Sequence, residues 1–476
     1  MNPDNGEHRL RFSAATTAER YLSGGVGARL LPLLDRLDAM LAGGGDNEAG
    51  RISLIAFVIR IVSAAIAFVS QVLLARWMGG FEYGIFVLVW VTVVIVGNLS
   101  CLGFHTSVIR FIPEYREAGR LAELRGILRA SHLFVLAAST LIALLGGVGI
   151  WYFSPGISGY YVIPFYLGMI CLPMIALSDL LQGVARANAW ALSALSPTYL
   201  VRPVLILVAM VAALLLGFPP TAETAVIAAI MATYATTLYQ LAGVTARTAR
   251  SLPAGPKRIL LRHWIAVSLP IFLVESFFFL LTNADVLMVG FFLPPHDVGV
   301  YYATVKTLAL VHFVYFAVKA GVAQRYAQLT QDPDRTRLSV FARQTVSWTF
   351  WPSLVMGVIV LLLGEPMLSL FGPGFESGYP LLFVVVLGVI ARAAVGPAES
   401  LLTMTGHQNI CAAAYALTLA VNICLSLLLI PRFGLWGAAI STALSMCFEA
   451  AALSATVRWK LGISMAIFVP AARRNN

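Results

Sequence analysis

The sequence predicts an all-α, polytopic membrane protein of about twelve transmembrane helices. Long apolar runs recur along the chain, charged residues are scarce, and the basic ones are placed asymmetrically. Of 476 residues, 59% are hydrophobic and 11% charged. A soluble domain carries about 25% charged residues, a deficit too wide for a large core to explain. The apolar runs lie near 51–77, 85–109, 127–152, 161–185, 197–217, 223–246, 264–290, 299–322, 343–363, 379–404, 408–430 and 434–457. Each approaches or exceeds the roughly twenty residues that cross a hydrocarbon layer. Met78-Gly79-Gly80, Ser154-Pro155-Gly156, Pro219-Pro220, Pro294-Pro295 and Gly372-Pro373-Gly374 supply the turn chemistry for several breaks. No stretch after residue 50 is long and polar enough for a separate soluble domain.

Lysine and arginine set the expected orientation. Of the 32 such residues, 25 lie at the termini or in and beside the loops after even-numbered spans, whereas the loops after odd-numbered spans carry only Arg76 and Arg432. Cytoplasmic loops hold the basic excess, so both termini are expected in the cytoplasm, with an even number of spans. The same placement accounts for the net charge of +10: basic loops facing an anionic leaflet need no nucleic-acid partner.

The chain also repeats itself. Gln71–Gly84, around the first odd-numbered turn, matches Asp285–Gly299, after span 7, in hydropathy and in an acidic-x-Gly ending, with one residue inserted. This predicts two pseudo-symmetric six-helix bundles, residues 51–246 and 264–457, joined by a basic cytoplasmic linker, 247–263, and followed by a cytoplasmic tail, 458–476. Parallel repeats of this kind enclose a cavity at their interface. Residues 1–50 read as a cytoplasmic extension without the h-region and cleavage site of a signal peptide. Within it Leu30, Leu33, Leu34, Leu37 and Leu41 share one helical face, which fits a surface-lying helix or a marginal helix in a loose tail.

Charges inside a bilayer are costly and usually face a cavity or a partner. Arg60, Lys306 and Arg392 lie deepest and are candidate cavity cations, with structural ion pairing to Glu275 or Asp285 as the other reading; Arg202 and Lys319, nearer span ends, are second choices. Gln71, Asn98, Glu275, Asp285 and His312 are candidate cavity-polar or coupling groups, His312 fitting a hydrogen-bonded core histidine equally well. Lys319, Asp179, Glu399 and Glu449 lie close enough to span ends to snorkel toward the interface. The five cysteines fall inside apolar runs, with neither CxxC nor His/Cys clustering, so neither a disulfide framework nor a zinc site is expected. No cofactor is indicated. GxSxG, HExxH and Walker A patterns are absent, and the odd-numbered loops are too short for a catalytic domain, which argues against an enzyme.

Four segments carry a family resemblance: Leu74-Ala-Arg-Trp-Met-Gly-Gly-Phe-Glu-Tyr-Gly-Ile-Phe86, Arg110-Phe-Ile-Pro-Glu-Tyr115, Phe371-Gly-Pro-Gly-Phe375 and Arg432-Phe-Gly-Leu-Trp-Gly-Ala-Ala-Ile-Ser-Thr442. Their order and spacing over about 51–460 resemble the polysaccharide transport (Wzx-like flippase) family of the multidrug/oligosaccharidyl-lipid/polysaccharide (MATE-like) superfamily. The resemblance implies a bacterial inner-membrane flippase for a lipid-linked oligosaccharide, usually on undecaprenyl pyrophosphate, serving exopolysaccharide, capsule or O-antigen synthesis. It also implies an anionic head group held by cavity cations, a role carried here to Arg60, Lys306 and Arg392. Expected partners are the lipid-linked oligosaccharide, membrane lipids, and a polysaccharide polymerase and glycosyltransferases, with the chain acting as a monomer. The competing readings are a multidrug/cation antiporter of the same superfamily and a membrane glycosyl polymerase or ligase.

Overall fold

The fold is that of a computed structural model, which describes residues 48–156, 158–330, 335–465 and 467; side chains are described from Val62 onward, apart from those of residues 274, 313, 320, 323, 324 and 335. The described chain divides into two units between residues 61 and 62. The described part of the first, 48–61, is helical. The leucine-lined segment 29–41 and the side chain of Arg60 lie outside the described residues.

The helices run α1 (Glu48–Ser100), α2 (Phe104–Glu117), α3 (Leu121–Phe153), α4 (Gly159–Ala187), α5 (Ala191–Ser196), α6 (Arg202–Leu215), α7 (Ala222–Ser251), α8 (Leu261–Leu281), α9 (Ala284–Phe292), α10 (Pro295–Thr330), α11 (Arg335–Ser369), α12 (Tyr379–Ala393), α13 (Ala398–Met404), α14 (Gln408–Phe433) and α15 (Leu435–Leu461). No strand occurs among the described residues. Eleven helical stretches there are long and apolar enough to cross a membrane, and the chain is a polytopic membrane protein. The first stretch, Val62–Glu117, spans 56 residues, about 84 Å as a straight helix, far more than the ~30 Å of hydrocarbon. It covers α2 and most of α1, which is itself two helices merged across Gly79, whose φ of 74° and ψ of 165° are non-helical. Counting that stretch twice recovers the twelve passes expected.

Several passes are broken where the chemistry of the chain demands it. After Ser100, Leu102 (φ 46°) and Gly103 (φ 78°) turn the backbone before α2. The pass predicted over 264–290 is two helices, α8 and α9, interrupted at Thr282 and Asn283. Pro397 follows Gly396 (φ 66°) and separates α12 from α13. A π-helical turn, Pro197–Val201, delivers Arg202 into the start of α6. Broken backbone at membrane depth is tolerated only where protein or water satisfies its polar groups, and such breaks cluster at functional sites. Where helices stay regular, buried hydroxyls return hydrogen bonds to the carbonyl four residues back, as Ser139, Thr236, Thr307 and Thr349 do.

Packing falls into two groups. α2, α3, α4, α6 and α7 pack in the pairs α2–α4, α3–α4, α4–α7 and α6–α7, while α10–α11, α12–α15, α14–α15 and α8–α14 unite the second half. α8 also packs on α2 and so bridges the halves. There Ser268 Oγ donates to Ser107 Oγ at 2.7 Å and the buried Trp264 Nε1 to the Tyr115 hydroxyl at 2.9 Å. Outward surfaces are apolar, as the exposed Leu141, Leu144, Val148 and Trp151 in the second half of α3 illustrate, which suits a span facing lipid.

The connector between the halves is shorter than its charge pattern suggested: α7 runs to Ser251 and α8 begins at Leu261. It is held against α3. Arg125 donates to the Pro253 and Pro256 carbonyls at 2.8 and 2.9 Å, and Arg258 N donates to Ala122 O at 2.9 Å. We expect Arg125→Ala to release this strap, read as faster tryptic cleavage at Lys257 and Arg258 without a change in helical content. Unchanged cleavage would show that the Arg258 backbone bond holds the strap by itself.

Candidate functional site

The two repeated motifs meet. A methyl group on Gly84 would lie 1.6 Å from the Pro295 carbonyl oxygen, one on Gly80 would lie 2.2 Å from His296 Nδ1, and one on Gly299 would lie 3.1 Å from Gly80 O. The start of the second helix within α1 therefore crosses the start of α10 at backbone contact, which only glycine permits. Around this crossing Tyr83 packs against Tyr302, Phe371 and Phe375, with ring centroids 6.4, 6.4 and 5.9 Å apart. Arg76 Nε donates to Leu370 O at 2.6 Å. The halves are thus closed at the Gly79 end by an aromatic plug, and Gln71 is part of its underside, accepting from the Tyr83 hydroxyl at 3.0 Å.

Lys306 lies one turn below Tyr302 on α10, its Nζ 4.7 Å from the Tyr302 ring centroid. It is half-buried and makes no ion pair with any described residue. Asp285 is within Coulombic reach of it but is engaged elsewhere, accepting from Tyr301 OH at 3.1 Å and Val286 N at 2.9 Å. His312 lies within Coulombic reach of both Lys306 and Arg392, and its Nδ1 sits 3.3 Å from Leu308 O, the contact of a core histidine. The second half thus brings Lys306, His312, Asp285 and Arg392 into one neighbourhood.

Arg392 does not stand as a free cation. Its Nη2 lies 3.0 Å from Glu449 Oε1, and its guanidinium is 4.8 Å from the Tyr315 ring centroid. Tyr315 in turn donates to Glu399, and Lys319 Nζ pairs with Glu399 Oε1 at 3.0 Å. The structural partner is Glu449, rather than Glu275 or Asp285. Glu399 and Glu449 are buried at 4% and 2% exposure, so they close an internal network instead of snorkelling outward. Desolvated charges persist only when paired in this way.

A second polar group lies in the first half and reaches α8. Asn98 Nδ2 donates to Asp179 Oδ2 at 3.1 Å. Glu275 accepts from Thr106 Oγ1 at 2.6 Å and lies 3.2 Å from His105 Nε2, linking α8 to α2. Arg202, buried beside the π-helical turn, donates to Ser178 Oγ at 2.8 Å, and its Nε has no hydrogen-bond partner among the described residues. The structure thus separates the candidates into two clusters. Tyr315, Thr106 and Ser178 were not legible as partners: they are ordinary span residues until the fold sets them beside a charge.

This arrangement of broken helices in two bridged halves is the fold of transporters of the multidrug/oligosaccharidyl-lipid/polysaccharide superfamily. Among solved structures, the chain is similar to the lipid II flippase MurJ in an inward closed conformation, with TM-score 0.65 and 15% identity over 85% of this chain and 87% of that one. It is similar to an inward-facing multidrug resistance MATE family transporter, with TM-score 0.67 and 14% identity over 85% of this chain and 98% of that one. A transporter of the same superfamily from Pyrococcus furiosus aligns with TM-score 0.60 and 14% identity over 89% and 97% of the two chains. The chain belongs to the polysaccharide biosynthesis protein family, whose model matches residues 50–323; a second model, MatE, matches residues 270–428. Among curated proteins no sequence matches the chain.

Proposed function

We propose that the protein is a flippase that moves a lipid-linked oligosaccharide, on undecaprenyl pyrophosphate, from the cytoplasmic to the periplasmic leaflet of a bacterial inner membrane. The repeat units would feed exopolysaccharide, capsule or O-antigen synthesis. Both termini face the cytoplasm in this reading, and the Gly79 end faces the periplasm. The observation that carries it is Lys306: a deep cation without a described carboxylate contact, directly beneath the closed aromatic plug. An anionic head group arriving from the basic end would find this charge without a carboxylate contact among the described residues, whereas Arg392 and Lys319 already lie against Glu449 and Glu399.

The physics of the substrate supplies the need. Moving one saccharide hydroxyl into a medium without hydrogen-bond partners costs roughly 4–8 kcal/mol, so a sugar chain does not cross lipid unaided. A polar passage opening alternately to each side removes that barrier. Exporting negative charge from an inside-negative cell is favoured by about 2.3 kcal/mol per charge per 100 mV, which biases the direction without a coupled ion.

Deleting the protein should trap lipid-linked units in the cytoplasmic leaflet. Lys306→Ala should reduce polymer export at least tenfold while the folded protein persists, and Lys306→Arg should restore most of it, because a guanidinium also holds a diphosphate. Periplasmic delivery at the normal rate in a strain lacking both the protein and any paralogue would sink the proposal. The match of the MatE model to residues 270–428 supports the second reading, a multidrug/cation antiporter. Drug resistance on overexpression that vanishes in Asp285→Asn, with polymer export untouched, would select it.

A further inference from the structure

Helix α8 belongs to both halves, and the change of allegiance falls within it. Near its start Trp264 is fully buried in the core of the first half, against which Leu261, Ile265 and Val267 also pack. Near its end Phe277, Phe278 and Leu281 pack against the core of the second half. Pro270 lies between these two groups. A proline in a helix interior removes a backbone hydrogen bond and marks where the helix bends.

The contacts of α8 with α2 divide at the same residue. Before Pro270 they are neutral and buried: the Trp264–Tyr115 and Ser268–Ser107 hydrogen bonds, with a methyl group on Gly103 falling 2.4 Å from Ser268 O. After Pro270, Glu275 reaches back to α2, where its Oε2 accepts from Thr106 Oγ1 at 2.6 Å and lies 3.2 Å from His105 Nε2. The side chains of His105 and Glu275 are 18% and 40% exposed, so this contact sits at the edge of the seam. Asp179 of α4 lies within Coulombic reach of His105, with Arg202 and Cys101 beyond it, and Arg186 lies within reach of Glu275. His105 thus stands between two carboxylates, and its Nδ1 is buried without a hydrogen-bond partner among the described residues.

We propose that His105 and Glu275 form a protonation-dependent latch on the seam between the halves. Histidine changes charge near neutral pH. Protonated His105 makes a charge-assisted hydrogen bond to Glu275, which is stronger than the bond a neutral imidazole makes. It holds the part of α8 after Pro270 against α2. Loss of the proton leaves the Thr106 hydroxyl as the main tie, and that part of α8 then swings with the second half about Pro270. The start of α8 stays in the first-half core in both states. The latch rests on the alternating-access reading above and governs the end opposite the aromatic plug.

The test is double electron–electron resonance on the purified full chain, spin-labelled at Glu117→Cys on α2 and Gly321→Cys on α10 in a background free of native cysteines. Both positions are exposed, and nothing lies within 4 Å of a methyl group at Gly321. Between about pH 5.5 and about pH 8 the ratio of long to short distances should rise at least tenfold. His105→Asn, whose amide is neutral at both values, should give one distribution throughout, and so should Glu275→Gln. His263→Asn, which replaces an exposed histidine in the first turn of α8, should keep the full response. A distribution unmoved by pH in the parent, a response that survives in His105→Asn or Glu275→Gln, or a response lost in His263→Asn would each overturn the latch. The measurement uses no transported substrate, so its outcome is separate from that of the export assays on Lys306.

Discussion

Replacing Gly84 with valine is expected to prevent closure of the Gly79 end and to abolish transport. Even a methyl group at this position lies 1.6 Å from the Pro295 carbonyl oxygen, and the obstacle is backbone within the first turn of α10, which has no rotamer to change. Any side chain must separate the two repeats at their crossing, and with them the Tyr83–Tyr302–Phe375 plug. Alternating access needs this end sealed while the other is open, so a protein that cannot seal it cannot cycle. The expected loss of export exceeds tenfold. A water-soluble maleimide applied from that side should label Lys306→Cys in the Gly84→Val background several-fold faster than in the parent, both made free of native cysteines. Gly147→Ala is the matched control: nothing lies within 4 Å of a methyl group there, so alanine should be neutral or slightly favourable in the helix. Unaltered labelling in Gly84→Val would mean that the crossing is not the seal.

The second large effect separates two cations that the sequence placed in one class. Arg392→Ala leaves Glu449 buried at 2% exposure without its ion partner, and it also removes the guanidinium packed on Tyr315. Breaking a buried pair from one side costs about 3–5 kcal/mol, so this variant should lose thermal stability and yield. Arg392→Met with Glu449→Leu removes both charges and should recover most of that stability. Lys306→Ala strands no described carboxylate, and its melting should match the parent although transport fails. Equal stability of Arg392→Ala and the parent would show that water reaches Glu449 and that the pair is solvated. Together these outcomes would assign different roles to the two intramembrane cations, a structural one to Arg392 and a ligand-binding one to Lys306.

The extent of the membrane fold was legible because it depends on one-dimensional quantities. Twenty-residue apolar runs, proline and glycine at turns and the family motifs each survive in a linear string, and they identified an all-helical transporter fold and its family. The repeat was also visible as a pattern of hydropathy and acidic-x-Gly endings. Its consequence was not: Gly80 and Gly84 look like turn residues until Pro295, His296 and Gly299 are brought against them. The helix breaks at Leu102–Gly103 and Thr282–Asn283 were likewise hidden, since both sit inside runs apolar enough to read as continuous.

What the sequence determined by itself is therefore the solvent in which the chain lives, the passes it makes and the cost of every charge it buries. Hydrophobicity and length are sums over neighbours in the chain, and the bilayer reads them directly. Only the tertiary structure decided which of those charges are offset. Lys319 and Glu399 are 80 residues apart and Arg392 and Glu449 57 apart, and a contact over such a separation depends on how helices pack, which no local pattern records. That packing turned Arg392 and Lys319 into internal ion pairs and left Lys306 beneath the aromatic plug with its charge unmatched by any described carboxylate contact.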